Sequence, residues 1–279
     1  MLIPDGWSGN GVKTLRRISY WISYVWRLVA TDLSFSVFGA GALLASLIVF
    51  PVLRLIALVF FLGREWAHRR CQFSISIGFH LFIEFMRFFG VLTYEVRGAE
   101  KLRDLSGTLI VSNHPTLLDV VFIISMVPQT LCVVKKEAWT NPFLLGVMWG
   151  TGYIQNDEPM QLIDDCVQGM EAGNNLLIFP EATRTVRGKP MKLRRGAASI
   201  ISTSLKPFVP ITITCDPLTL TKADKWFMPA PQRMHYEIIV HDAYDPAPEI
   251  IDINQLSLSN RRINRILEKL FAAGLDLHG

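Results

Sequence analysis

The sequence predicts an α/β fold, a sheet covered by helices, preceded by a membrane-associated helical region over residues 1–92. Three observations carry this reading. From residue 93 onward, short runs rich in β-branched and aromatic residues alternate with runs of helical spacing, the pattern of a sheet with helices on its faces. Two of those runs stop at polar corners that hold reactive side chains. Before residue 93 the chain contains an uncharged apolar stretch just long enough to cross a bilayer.

Composition agrees with one medium α/β domain plus an appendage, since 279 residues can bury a sizeable core. Half of the residues are hydrophobic, and 17 Phe with 7 Trp suit contact with lipid. The formal net charge of +4 is modest and compatible with anionic headgroups. Nucleic acid is a poor partner, because the basic residues accompany apolar helices and no nucleic-acid motif occurs. Cys71, Cys132, Cys166 and Cys215 are scattered, which predicts buried thiols in a reducing compartment. The 6 His residues are dispersed, so no metal site is expected. A Gly-x-Ser-x-Gly elbow is absent from the sequence, which argues against a serine hydrolase.

In chain order, residues 11–30 mix Lys13, Arg16, Arg17 and Arg27 with Tyr20, Trp21, Tyr24 and Trp26, a combination suited to a membrane interface. An ordinary amphipathic helix packed on the domain is the alternative. Residues 35–53 carry no charge; Arg54 interrupts them, and an apolar run over 55–62 follows. Pro51 predicts a kink. The run starts too late and is too long for a cleavable secretion signal. Gly39-Ala40-Gly41 imitates part of a dinucleotide fingerprint but lacks the strand and the third Gly. Arginines flank the run on both sides, leaving a single crossing and a re-entrant pair equally open. Residues 74–92 predict a second membrane-associated helix with Ser76, His80, Glu84 and Arg87 as one polar stripe.

Strands are predicted over 93–96, 107–112, 130–134, 152–155, 175–179, 208–214 and 234–241, with helices over 117–126, 141–149, 160–172 and 196–205. A last amphipathic helix over 256–271 interleaves Ile263, Ile266, Leu267 and Leu270 with Arg261, Arg262, Arg265 and Lys269. His235 and His241 alternate with apolar residues in a strand and have structural roles in this reading.

The chemistry gathers at two corners. Val111-Ser112-Asn113-His114-Pro115-Thr116-Leu117-Leu118-Asp119 leads from a strand into a helix, with Pro115 suited to the first helical position. His114 in the cap region can fold back toward Asp119. A carboxylate on one imidazole nitrogen fixes the tautomer and stabilises the imidazolium formed when the other nitrogen takes a proton. Taken alone, a capping His beside a solvated Asp is the simpler reading. The second corner, Asn174 to Thr185, contains Phe179-Pro180-Glu181-Ala182-Thr183-Arg184.

Together the corners resemble the glycerolipid acyltransferases, the lysophosphatidate acyltransferase family, with its Asn-His-x4-Asp and Phe-Pro-Glu-Gly-Thr-Arg signatures. Val133-Val134-Lys135-Lys136-Glu137 and Val209-Pro210-Ile211 match two weaker blocks, so the resemblance spans Gly107 to Thr214 in order. It implies a mixed, mostly parallel sheet flanked by helices over 93–279. It also implies His114 and Asp119 as the catalytic pair, and Glu181 and Arg184 as acceptor-binding residues. Lys135 is expected as a further phosphate contact and Thr183 as a residue that shapes the corner. The expected reaction moves a fatty acyl group from a thioester, acyl-CoA or acyl carrier protein, to a hydroxyl of a lysophosphatidate-like lipid, with no other cofactor. The expected location is a bacterial inner membrane with the catalytic domain facing the cytoplasm. Arg184, Arg187, Lys189, Lys192, Arg194 and Arg195 form a basic stretch that either attracts anionic lipid or donor phosphates or is a solvated loop. Leu117, Leu118, Phe143, Leu144 and Trp149 are candidates for an acyl groove.

Two positions depart from the family pattern. Ala182 replaces a usual Gly, and Asn156 falls where many members place an Arg near the acceptor. These details resemble a bacterial branch associated with aryl polyene lipid assembly, for which a different hydroxylated lipid or an aryl polyene precursor is the acceptor. A membrane protein with this fold but no turnover is the rival, opposed by intact His114, Asp119, Glu181 and Arg184.

Overall fold

The computed structural model describes residues 10–184, 191–250 and 256–276. Helix α1 (Asn10–Leu44) runs through one π-helical turn (Ala45–Val49) into α2 (Phe50–Val59). The two N-terminal segments expected from composition are thus one unbroken helix. No Gly or Pro lies between them, and Ser34 returns its hydroxyl to the Ala30 carbonyl at 2.6 Å. Pro51 has no N–H and its ring crowds the carbonyl of the preceding turn; the wider π turn sits where that strain falls. Phe61 and Gly63, both with left-handed φ, reverse the chain into α3 (Gly63–Phe88).

The expected polar stripe on α3 is divided. Ser76 is buried and donates to the Ser125 carbonyl, whereas His80 is exposed. Glu84 accepts from Tyr94 at 2.6 Å and pairs with Arg87 at 3.4 Å. Ser76 is buried because it lies on the side of α3 that packs along α4 (Asp119–Met126).

Seven strands form one sheet: β1 (Leu92–Arg97), β2 (Leu109–Ser112), β3 (Thr130–Lys135), β4 (Ile154–Asn156), β5 (Asn175–Ile178), β6 (Phe208–Asp216) and β7 (Met234–Val240). Their order is β1-β7-β6-β2-β5-β3-β4, parallel at every pairing except β6 with β7. The sheet is mixed and mostly parallel, flanked by helices on both faces. Burial on both faces explains why β2 and β5 read as continuous apolar runs instead of alternating ones.

Alternate residues of the strands serve two cores. Ile110, Leu177 and Ile211 face α3 and α4, with α6 (Pro142–Thr151) on the same side. Val111, Leu176 and Phe208 face the helices α7 (Pro159–Glu171), α8 (Arg195–Ser204) and α9 (Leu256–Asp276). The short α5 (Lys136–Trp139) follows β3. Two glycines on α6 bring the N-terminal helix close: a Cβ on Gly146 would meet Ser46, and one on Gly150 would meet the Phe50 ring.

Candidate active site

The carboxyl ends of the parallel strands β2, β5, β6, β3 and β4 point to one crevice, where open α/β sheets place their sites. β2 delivers the first corner. Asn113 extends the β2–β6 pairing with its side chain, donating to the Ile213 carbonyl at 2.8 Å and accepting the Ile213 N–H at 2.7 Å. The amide anchors the backbone just before His114.

Pro115 is not the first helical residue, as its position in the sequence predicts; α4 begins at Asp119. The intervening turn is built like a capping box. Asp119 Oδ2 accepts the Thr116 N–H at 2.7 Å, and Thr116 Oγ1 accepts the Leu118 N–H at 3.2 Å. This exchange closes the turn over residues 116–119 ahead of α4, whose cap residue is Leu118, and leaves Pro115 in the loop.

The same carboxylate holds the histidine. Asp119 Oδ2 lies 2.9 Å from His114 Nδ1, and Oδ1 accepts the Thr116 hydroxyl at 2.6 Å. The Asp119 side chain is fully buried, so these bonds replace the water it lost. The Tyr236 hydroxyl donates to Thr116 Oγ1 at 3.1 Å. Burial, the largest influence, holds the Tyr236 phenol well above its ordinary pKa and keeps it a neutral donor. A chain of hydroxyls therefore runs from β7 through Thr116 to Asp119.

β5 delivers the second corner. Phe179 stacks on the His114 ring with centroids 4.1 Å apart and planes 21° apart. Glu181 Oε1 accepts the His114 N–H at 2.9 Å, joining the two corners directly. Ala182 adopts φ +56°, so the left-handed backbone that Gly takes without strain persists with a methyl group present.

His114 is thus in direct contact with Asp119 and Glu181, which are buried behind it, while His114, Arg184, Thr183 and Lys135 line one cavity. Arg184 Nη1 donates to the Leu220 and Thr221 carbonyls at 2.9 Å each, so one guanidinium nitrogen is occupied in holding the β6–β7 segment. Thr183 makes a long 3.4 Å bond to the Arg184 carbonyl, as befits a corner residue. Lys135 ends β3, exposed at the cavity, with Asn156 beside it in register on β4. Arg194 and Arg195 line the cavity; Arg187 and Lys189 lie outside the described residues. Among the described residues His114 Nε2 has no protein hydrogen-bond partner, and no cluster of three His, Cys, Asp or Glu side chains suits a metal ion.

The cavity has a volume of about 1730 Å³ and extends from His114 between the sheet and α1, α3 and α6. Its walls include Phe38, Phe82, Val121, Cys132 and Met148. Leu117, Leu118 and Leu144 line it, in keeping with the sequence reading. Trp149 does not, being 60 % exposed on the outside of α6. The Phe143 side chain lies outside the described residues. All four cysteines are free and buried, and burial pushes the Cys132 thiol up to about 12. Tyr153 also borders the cavity, and its buried hydroxyl has no hydrogen-bond partner among the described residues.

Sequence reasoning missed Thr116, Tyr236 and Phe179 as parts of the site. Thr116 carried a signal, since Thr-x-x-Asp has the spacing of a capping box. Tyr236 carried none, being 120 residues from its partner.

Residues 93–214 match the family model described as Acyltransferase. A 1-acyl-sn-glycerol-3-phosphate acyltransferase of Helicobacter pylori is 26% identical over 152 residues, covering 51% of this chain and 62% of the relative. The corresponding enzyme of Pseudomonas aeruginosa is 28% identical over 185 residues, covering 64% and 66%. The chain thus spans less than two thirds of the Helicobacter relative's length and 49% of the human beta form it also matches. The crystal structure of the 1-acyl-sn-glycerophosphate acyltransferase from Thermotoga maritima shares the fold, with a TM-score of 0.65 at 15% identity over 91% of this chain and 97% of that one. The acyltransferase match over residues 93–214, which runs through both signature corners, supports the glycerolipid acyltransferase family for this domain.

Proposed function

We propose that the protein is an O-acyltransferase that moves a fatty acyl group from a thioester to a hydroxyl of a lysophosphatidate-like lipid. The observation that carries this reading is a His114 ring held by Asp119 through Nδ1 at the cavity, while Nε2 has no hydrogen-bond partner among the described residues. In this reading Nε2 takes the proton of the acceptor hydroxyl as its oxygen attacks the thioester carbonyl. The tetrahedral intermediate collapses with loss of the thiolate, which receives that proton from the imidazolium. Asp119 stabilises the imidazolium in between, and no covalent enzyme intermediate forms. The apolar cavity accommodates the acyl chain. Arg184 and Lys135 supply positive charge for the acceptor phosphate, and Glu181 sets the corner that receives the acceptor. The donor is acyl-CoA or acyl carrier protein.

A second reading of the acceptor rests on Asn156. Where a cation would strengthen a phosphate clamp, this side chain beside Lys135 is neutral and both donates and accepts hydrogen bonds. That favours a different hydroxylated lipid, aryl polyene precursors included. Thioester consumption by the purified protein, with product mass spectrometry over phosphorylated and unphosphorylated acceptors, tests both readings. Transfer to a lysophosphatidate-like acceptor is expected; no thioester consumption with any acceptor would leave a non-catalytic membrane protein of this fold.

The membrane reading rests on α1 and α2. Residues 17–59 form a helix apolar and long enough to cross a bilayer, with little of its apolar window buried. Yet the domain grips it along its length: Arg27 donates to Ala230 and Pro231, Ala30 and Phe50 are buried, and Arg54 donates to Trp149. At 1.5 Å per residue those contacts extend over about 40 Å, more than a hydrocarbon core is thick. A helix held alongside the domain for that distance is better placed lying in one leaflet than crossing. We assign the surface to a bacterial inner membrane with the domain on the cytoplasmic side, where four free thiols would remain reduced.

A further inference from the structure

We propose that the β6–β7 connection, residues 217–233, is a second membrane-contacting element that meets the bilayer beside α1 and links that contact to the active-site corner. The proposal rests on the reading of α1 as a membrane surface. At its tip Trp226, Phe227 and Met228 are 52 %, 43 % and 53 % exposed, three consecutive large apolar side chains on a loop. Isolated exposed apolar residues are ordinary, but a contiguous group marks a contact surface. Trp226 packs edge-on against Phe35 of α1 with ring centroids 5.7 Å apart. At the base of the loop Arg27 of α1 donates to the carbonyls of Ala230 at 3.1 Å and Pro231 at 3.0 Å. The loop therefore packs against the Arg27 and Phe35 side of α1, a helix whose Trp21, Val25 and Trp26 are also exposed.

The occupant that fits is a lipid surface with anionic headgroups. Lys222 and Lys225 precede the apolar tip, and the Lys225 ammonium lies 5.7 Å from the centre of the Phe227 ring. Aromatic rings beside amines are the composition of a bilayer interface, where the ring sits at the glycerol level and the amine meets phosphate. Asp224, the acidic residue between them, accepts the Thr221 N–H and hydroxyl at 2.9 and 2.8 Å, so it shapes the turn.

The inner end of the loop reaches the catalytic corner. The Leu220 carbonyl accepts from Leu117 N–H at 3.0 Å and from Arg184, and the Thr221 carbonyl accepts from Arg184 as well. Leu117 lies between His114 and Asp119 in the chain. One short segment thus touches α1, the expected lipid surface and both motif corners, placing the cavity mouth at the membrane.

Single cysteines at three exposed positions test this, because the four native thiols are buried and spare the labelling. Phe227→Cys probes the loop tip, Val25→Cys the face of α1, and Met160→Cys the helix layer on the opposite face of the sheet. Each carries an environment-sensitive fluorophore, in vesicles of phosphatidylcholine and phosphatidylglycerol. Expected is loss of most emission at 227 and 25 with nitroxide-bearing lipid and little with aqueous iodide, and the reverse at 160. If 227 behaves like 160 while 25 responds to lipid, the loop proposal falls and α1 stands. If 25 also behaves like 160, the membrane reading of α1 falls with it. Neither result depends on acyl transfer.

Discussion

The polar corner and the helix layer around the cavity are held together in opposite ways. At the corner nearly every group has a partner: Asp119 receives the Thr116 N–H, the Thr116 hydroxyl and His114 Nδ1, and Glu181 receives the His114 N–H. Buried polar groups partnered in this way fix one geometry, since breaking any bond exposes another group to desolvation. In the helix layer, shape does the holding. Gly146 and Gly150 admit Ser46 and Phe50, aromatic rings pack against one another, and the Tyr153 hydroxyl has no partner among the described residues. The proposed function fits both: a reacting pair would require fixed angles, whereas an acyl-binding cavity would require volume and tolerate looser walls.

The contrast can be broken most severely at His114. His114→Ala is expected to reduce acyl transfer by about 10²- to 10⁴-fold, the usual contribution of a general base, while the thermal transition stays close to that of the native protein. Near-native turnover in a folded variant would remove the proposed mechanism. Gly150→Ala attacks the other region, driving a methyl group into the Phe50 ring. Overpacking of this kind should destabilise by about 1–3 kcal/mol, read by denaturation in detergent, and should shift acyl-chain preference, which a catalytic substitution would not do.

Thr116→Val sharpens the comparison within the corner. It keeps the shape but removes the hydroxyl between Tyr236 and Asp119, and a fall in kcat of roughly tenfold at unchanged KM is expected. An equal loss in KM would place Thr116 on the acceptor instead. Ala182→Gly relieves a left-handed backbone at the second corner. A stability gain of up to about 1 kcal/mol is expected from chemical denaturation, and a loss would show that the methyl group is needed for packing. Tyr153→Phe removes a hydroxyl that has no partner among the described residues, so stability should change least, staying level or rising by less than about 1 kcal/mol. A loss above that amount would mean the hydroxyl is partnered in solution.

The seven strands and their intervening helices were legible because each is a local pattern: short apolar runs, helical spacing, and polar corners after β2 and β5. His114 and Asp119 stood in one motif five residues apart, and the contact of Nδ1 with Oδ2 needs only the turn between them. Local composition misled where the element was longer than the pattern. Residues 11–30 and 35–53 read as two segments, but backbone hydrogen bonding continues through any stretch that lacks a breaker, and the π turn absorbs Pro51. Likewise Pro115 suited a helix start that the Thr116–Asp119 exchange moved downstream.

Other features had no local trace because they form between residues far apart in the chain. Tyr236 reaches Thr116 only because β7 lies beside β6 and so places that phenol beneath α4. The bonds from Arg184 to Leu220 and Thr221 depend on two loops meeting above the sheet. The cavity exists only once α1, α3 and α6 close over one face of the sheet, with glycines at their contact setting how near they come. Apolar periodicity reports that a residue is buried; the partner it is buried against depends on strand order and helix packing, which arise from the whole chain.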